Sequence, residues 1–91
     1  MAEEQRTVYF SGDVQGVGFR YTACRTAAQY NVTGYARNLP DGRVECLVEG
    51  PDTEIDSFLA DLARRMSGCI RLQEQQTAQY SGRYKTFGVK F

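Results

Sequence analysis

Hydrophobic and polar positions follow two rhythms that alternate along the chain. Over residues 7–12, Val8 and Phe10 fall on one side and Thr7, Tyr9 and Ser11 on the other, a period of two that predicts a strand. Residues 21–30 are alanine-rich with helical spacing. Cys24, Ala27 and Ala28 share one stripe, Arg25 and Gln29 turn outward, and Asn31 ends the helix by tolerating the left-handed conformation. Residues 32–39 predict a second strand and Pro40-Asp41-Gly42 a turn, Pro fixing φ and Gly accepting its positive values. Over residues 43–49, Val44, Cys46 and Val48 alternate with Arg43, Glu45 and Glu49, which predicts a half-buried strand in a hairpin with the second. Leu47 is the apolar exception on the polar face.

A second helix follows the break at residues 50–53. Asp52 or Thr53 is placed to cap it, and Ile55, Phe58, Leu59, Leu62 and Met66 give it one apolar face. Arg64 and Arg65 suit its C-terminal end, and Ser67-Gly68 stops it. Residues 69–77 form a weaker strand signal carried by Ile70 and Leu72. Residues 80–85 read as a polar loop. Residues 86–91 read as a short last strand with Phe87, Val89 and Phe91 in alternation.

The order β-α-β-β-α-β plus a short extra C-terminal strand is that of an α+β, ferredoxin-like split βαβ fold. Two helices would cover one face of an antiparallel sheet and leave the other more open. Residues 1–91 are expected to form a single domain, with 1–6 flexible. That fold serves many functions, so function has to come from a site.

The chemistry-bearing segment is Asp13-Val14-Gln15-Gly16-Val17-Gly18-Phe19-Arg20, which lies between a strand and a helix. Backbone N–H groups in a glycine-bearing turn can converge on an anion, and the helix start adds free donors. Arg20 supplies a planar fork that matches phosphate oxygens. A tight strand-to-helix turn with a surface arginine would need the same glycines. The segment lacks the Gly-Lys-Ser/Thr of a Walker loop and the third glycine of a dinucleotide fingerprint. Asn38, at a strand end before a turn, can donate and accept at once, as holding a water requires, although asparagine is also common beside turns.

Composition narrows the chemistry. The chain has no histidine, which removes the commonest general base, the histidine-activated nucleophiles and most zinc sites. Its 11 Lys+Arg balance 11 Asp+Glu, which argues against a polyanion as main partner. Arg43, Glu45 and Glu49 on the third strand are unlike the aromatic display of RNA-recognition sheets. Cys24, Cys46 and Cys69 are too few and too scattered for a disulfide framework or metal site, and none has Arg six positions on, as a cysteine phosphatase requires. They read as reduced thiols of a cytoplasmic protein. No apolar run approaches a membrane span, and the polar N-terminus is unlike a secretion signal.

Taken together, residues 12–20 and the stretch Gly34-Tyr35-Ala36-Arg37-Asn38-Leu39-Pro40-Asp41-Gly42-Arg43-Val44 resemble the paired signature of the acylphosphatase family. The resemblance extends through Phe58, Leu59 and Leu62, and Phe87-Gly88-Val89-Lys90-Phe91 is compatible with it. It implies metal-free, cofactor-free hydrolysis of acyl phosphates to carboxylate and inorganic phosphate. It also implies that Arg20 grips the phosphate, Asn38 orients the attacking water and the backbone of Gln15, Gly16, Val17, Gly18 and Phe19 completes the cradle. Proton removal falls to the substrate's own oxygens. The chain departs from the family in having Tyr35 where Trp is usual after the glycine, and in lacking prolines after the second helix. The expected partners are small acyl phosphates and phosphate, with no nucleic acid or membrane, and the expected state is a monomer. The alternative is a non-catalytic anion-binding module of the same fold.

Overall fold

The computed structural model describes residues 2–91. In chain order its elements are β1 (Glu3–Gly12), α1 (Phe19–Ala27), β2 (Thr33–Asn38), β3 (Val44–Pro51), α2 (Asp52–Arg65), β4 (Ile70–Gln79) and β5 (Phe87–Lys90). The sheet runs β4-β1-β3-β2-β5. Its first four strands pair antiparallel, while β5 lies parallel to β2 with Ala36 opposite Val89. The extra C-terminal strand therefore makes the sheet mixed rather than purely antiparallel. Parallel pairing was not legible because four residues carry no sign of direction.

Both helices lie on one face. Val8, Phe10, Ala36, Val44, Cys46 and Val48 point from the sheet into the core. Phe19, Ala23 and Ala27 of α1, and Ile55, Phe58, Leu59 and Leu62 of α2, meet them. The Phe10 and Phe19 rings are 5.0 Å apart, which seats the first residue of α1 on β1. Among the described residues no helix is long and apolar enough to cross a membrane.

Several expectations shift. Residues 3–6 belong to β1: Glu3 pairs with Pro51, and the Arg6 guanidinium bonds Glu4 and Asp56, so the strand starts earlier than its apolar pattern. Met1 lies outside the described residues. Helix α1 starts at Phe19, and its buried stripe is Ala23, Thr26 and Ala27, with Cys24 half-buried and Ala28 exposed. In an alanine-rich segment small residues on both sides leave the phase of the stripe weakly specified. Pro51 occupies the N-cap of α2, and Asp52 instead accepts the Thr53 N–H at 2.7 Å. Leu72 is exposed on the edge strand β4.

The sheet face away from the helices is covered more than alternation implies. Glu49 is fully buried. Its carboxylate accepts from Gln5 Nε2 at 2.8 Å, Ser81 N–H at 2.9 Å, Ser81 Oγ at 2.7 Å and Gly82 N–H at 3.1 Å. Glu45 accepts from the Tyr35 hydroxyl at 2.9 Å and pairs with Arg37 at 2.7 Å. Tyr84 packs on Tyr35 with ring centroids 5.9 Å apart. The polar loop between β4 and β5 is thus strapped across this face. Charged side chains in a strand can be buried when a distant segment supplies their donors, which local pattern does not reveal.

Candidate active site

The site is built where β1 hands over to α1. At the end of β1 the register slips, so that Ser11 faces Leu72 and Gly12 faces Ile70, and Asp13 N–H donates to the Cys69 carbonyl at 2.9 Å. This bulge turns the chain out of the sheet. Gly16 and Gly18 then take φ of 78° and 76°, the left-handed region where a side chain is strained. Gly18 is the N-cap of α1 and brings no capping side chain. Residues 15–18 form a turn that runs into α1, whose first-turn N–H groups have no intrahelical partner. A row of unspent donors at a helix start carries positive potential.

Arg20 and Asn38 reach the same hollow from different elements. Arg20 is the second residue of α1, fixed by its neighbour Phe19 in the core. Asn38 ends β2 on the helix-facing side, in step with Ala36. Together with Val14, Gly16, Gly18, Phe19 and Tyr21 they line a pocket of about 120 Å³. Asn38's amide makes no hydrogen bond among the described residues, and Arg20 has no ion pair there. The acids nearest in sequence are engaged elsewhere: Asp13 faces Arg71 at 3.6 Å and Asp41 pairs with Arg43 at 2.8 Å. Arg20's charge is therefore left for a ligand. The guanidinium lies 5.0 Å from the centroid of the Phe91 ring, within cation–π range.

Of the residues singled out in the sequence, Arg20, Asn38, Gly16, Gly18 and Phe19 line this pocket. Gln15 and Val17 are exposed in the same loop but outside its lining. Gln15 does something its sequence gave no sign of: its Nε2 donates to the carbonyls of Leu39 at 2.8 Å and Arg43 at 3.0 Å. Val14, inside the segment singled out in the sequence, also lines the pocket, whereas sequence reasoning missed Tyr21 and Phe91. Tyr21 had a usable signal, since an outward aromatic one residue after Arg20 has to lie beside the loop. Tyr80, Arg83 and Tyr84 are outside the pocket lining.

The pocket lining holds no carboxylate, thiol or lysine. Among the described residues no three His, Cys, Asp or Glu side chains gather as metal ligands would. The three cysteines are free thiols, and burial pushes Cys46 and Cys24 up from their ordinary values, so neither is primed as a nucleophile. What remains is an arrangement of N–H donors, one guanidinium and one amide, suited to holding an oxyanion and a polar molecule beside it.

A loop-to-helix junction of this kind is suited to an anion. The family model described as Acylphosphatase matches residues 6–89. An acylphosphatase of Solibacter usitatus is 43% identical over 89 residues, covering 96% of this chain and 91% of its own. One from Bordetella parapertussis is 40% identical over 81 residues, covering 88% and 86%. The crystal structure of an acylphosphatase from Bacillus subtilis matches with a TM-score of 0.86 at 27% identity, over 97% of this chain and 99% of that one. Full-length HypF in its phosphate- and nucleotide-bound form matches with a TM-score of 0.83 at 26% identity, over 99% of this chain and 12% of HypF. The chain belongs to the acylphosphatase family, enzymes that are hydrolases acting on acid anhydrides.

Proposed function

We propose that this chain hydrolyses acyl phosphates with Arg20 gripping the phosphoryl group and the backbone N–H groups of Gln15, Gly16, Val17, Gly18 and Phe19 cradling its oxygens. Asn38 orients the water. The observation that carries the reading is that Arg20 and Asn38, with their polar ends unspent, line one pocket with Gly16 and Gly18. Water attacks phosphorus, the P–O bond to the acyl group breaks, and the carboxylate leaves with that electron pair. The water's proton passes to a phosphate oxygen, because no side chain in the lining is a base. An acyl phosphate is already activated, so gathering charge and aiming water are the main tasks. No step calls on a metal or cofactor. We place the enzyme in the cytoplasm, on the strength of its free thiols, and read it as a monomer acting on free small molecules.

The match to a 12% portion of HypF motivates a second reading, an anion-binding module without turnover. Initial rates with benzoyl phosphate in EDTA separate the two. Wild type is expected to hydrolyse it. Arg20→Ala is expected to lose at least about 3–4 kcal/mol of transition-state stabilisation. Asn38→Ala is expected to lose most turnover while still binding inorganic phosphate. No hydrolysis by folded wild type would leave the anion-binding module. Equal loss of phosphate affinity in both variants would overturn the division of roles.

A further inference from the structure

Among the described residues the exposed large hydrophobics are Val17, Tyr21, Leu72, Tyr80 and Phe91. Val17, Tyr21 and Phe91 each line or adjoin the lining of one pocket. Val17 stands between Gly16 and Gly18 in the loop, Tyr21 lines the pocket, and Phe91 lies against the Arg20 guanidinium. Apolar side chains exposed singly need no explanation, but a group around a pocket marks a contact surface.

Tyr21 is the sharpest case, because it is 69% exposed and has nothing to hold. Tyr9 packs with Arg43, Tyr30 bonds Asp61, Tyr35 bonds Glu45 and Tyr84 packs on Tyr35. Tyr21 has no ring or hydrogen-bond partner among the described residues. Its place follows from the pocket's shape. The pocket opens to solvent, and the exposed Tyr21 ring is part of its lining. An acyl group carried by a phosphoryl group held at Arg20 can extend along that ring.

We propose that Tyr21, flanked by Val17 and Phe91, forms an acyl-group subsite that favours aromatic acyl phosphates over small aliphatic ones. The inference rests on the acyl phosphate reading above and adds its substrate class. A phenyl ring can stack or meet edge-to-face with Tyr21 and take the apolar side of Val17, contacts that a methyl group cannot make. The Phe91 ring is uncharged and does not compete for the guanidinium's charge, so a phosphate grip and an apolar rim can coexist at Arg20.

The test has two arms. The first is kcat/KM for benzoyl phosphate and for acetyl phosphate in wild type, Tyr21→Ser and Tyr21→Phe. Comparing the ratio between variants cancels the substrates' different intrinsic reactivities. The benzoyl-to-acetyl ratio should fall about tenfold in Tyr21→Ser, near the upper end of what one aromatic pair contributes, and hold in Tyr21→Phe. The second is calorimetric titration with phenacylphosphonate and acetonylphosphonate, in which CH2 replaces the scissile oxygen. The phenacyl compound should bind more tightly, and that preference should collapse in Tyr21→Ser. Hydrolysis of both substrates with an unchanged ratio in Tyr21→Ser overturns the subsite and leaves the hydrolase reading standing. A phenacyl preference that depends on Tyr21, without hydrolysis of either substrate, supports the subsite and removes the hydrolase reading.

Discussion

Gln15 and Leu39 are tied across the mouth of the site: the Gln15 amide donates to the Leu39 carbonyl at 2.8 Å and, with its other N–H, to Arg43 at 3.0 Å. Leu39 follows Asn38 and itself donates to the Arg43 carbonyl at 2.8 Å. One side chain therefore fixes the spacing between the cradle and the residue assigned to the water. Gln15→Met keeps the length and removes both donors. It is expected to lower kcat for benzoyl phosphate about tenfold, the range of one or two net hydrogen bonds or a small misplacement. In an Asn38→Ala background the same change should cost far less. A double-mutant cycle on kcat measures this, and strict additivity would show that the tether does not act through Asn38.

Gly16 and Gly18 should respond to substitution through conformation rather than crowding. A Cβ at either meets nothing within 4 Å, yet both have positive φ. Gly18→Ala is expected to cost about 1–2 kcal/mol in urea unfolding. Phosphate affinity should suffer as well, because escaping the strain rotates the N–H groups. Gly18→Asn should be tolerated better than Gly18→Val. Equal behaviour of those two variants would remove the conformational argument.

The strap over the open face hangs on Glu49. Burial opposes ionisation of its carboxyl, but the hydrogen bonds from Ser81, Gln5 and Gly82 outweigh that and hold it below its ordinary value. A carboxyl lowered by folding contributes stability that is fully present above the unfolded value of about 4.3 and is lost as pH falls through the folded one. Thermal melts should therefore drop steeply below about pH 4. Glu49→Gln turns one acceptor oxygen into a donor facing donors. A loss of about 2–4 kcal/mol is expected, with a flatter acid limb.

Tyr35 acts at the other end of the pH scale. Burial, with the hydrogen bond to Glu45, pushes its hydroxyl up to about 12. A group raised by folding stabilises fully below its unfolded value, about 10, and loses that contribution as pH rises to the folded one. Unfolding midpoints should fall between about pH 10 and 12, and Tyr35→Phe should shift the alkaline limb. An identical limb in Tyr35→Phe would assign alkaline unfolding to other groups.

Short-range pattern carried the architecture: Val8, Phe10, Val44, Cys46 and Val48 alternate as strands do, and the α2 spacing from Ile55 to Leu62 is plainly helical. Those signals repeat often enough to outweigh noise. The α1 phase failed because alanines on two sides offer equal burial. The pocket lining was legible at Arg20, Asn38, Gly16 and Gly18, where residue type and turn chemistry coincide. Gln15's tether, Glu49's burial and Phe91's place against Arg20 were not. Each depends on segments 24 to 71 positions apart meeting through the sheet, and spacing along the chain does not encode such meetings.

Strand β5 comes last in the sheet, and its parallel pairing with β2 carries Phe91 to the guanidinium of Arg20. That has a consequence at the sheet edge. β5 pairs with one neighbour only, so where it frays the Phe91 ring withdraws from Arg20 while the other four strands stay paired.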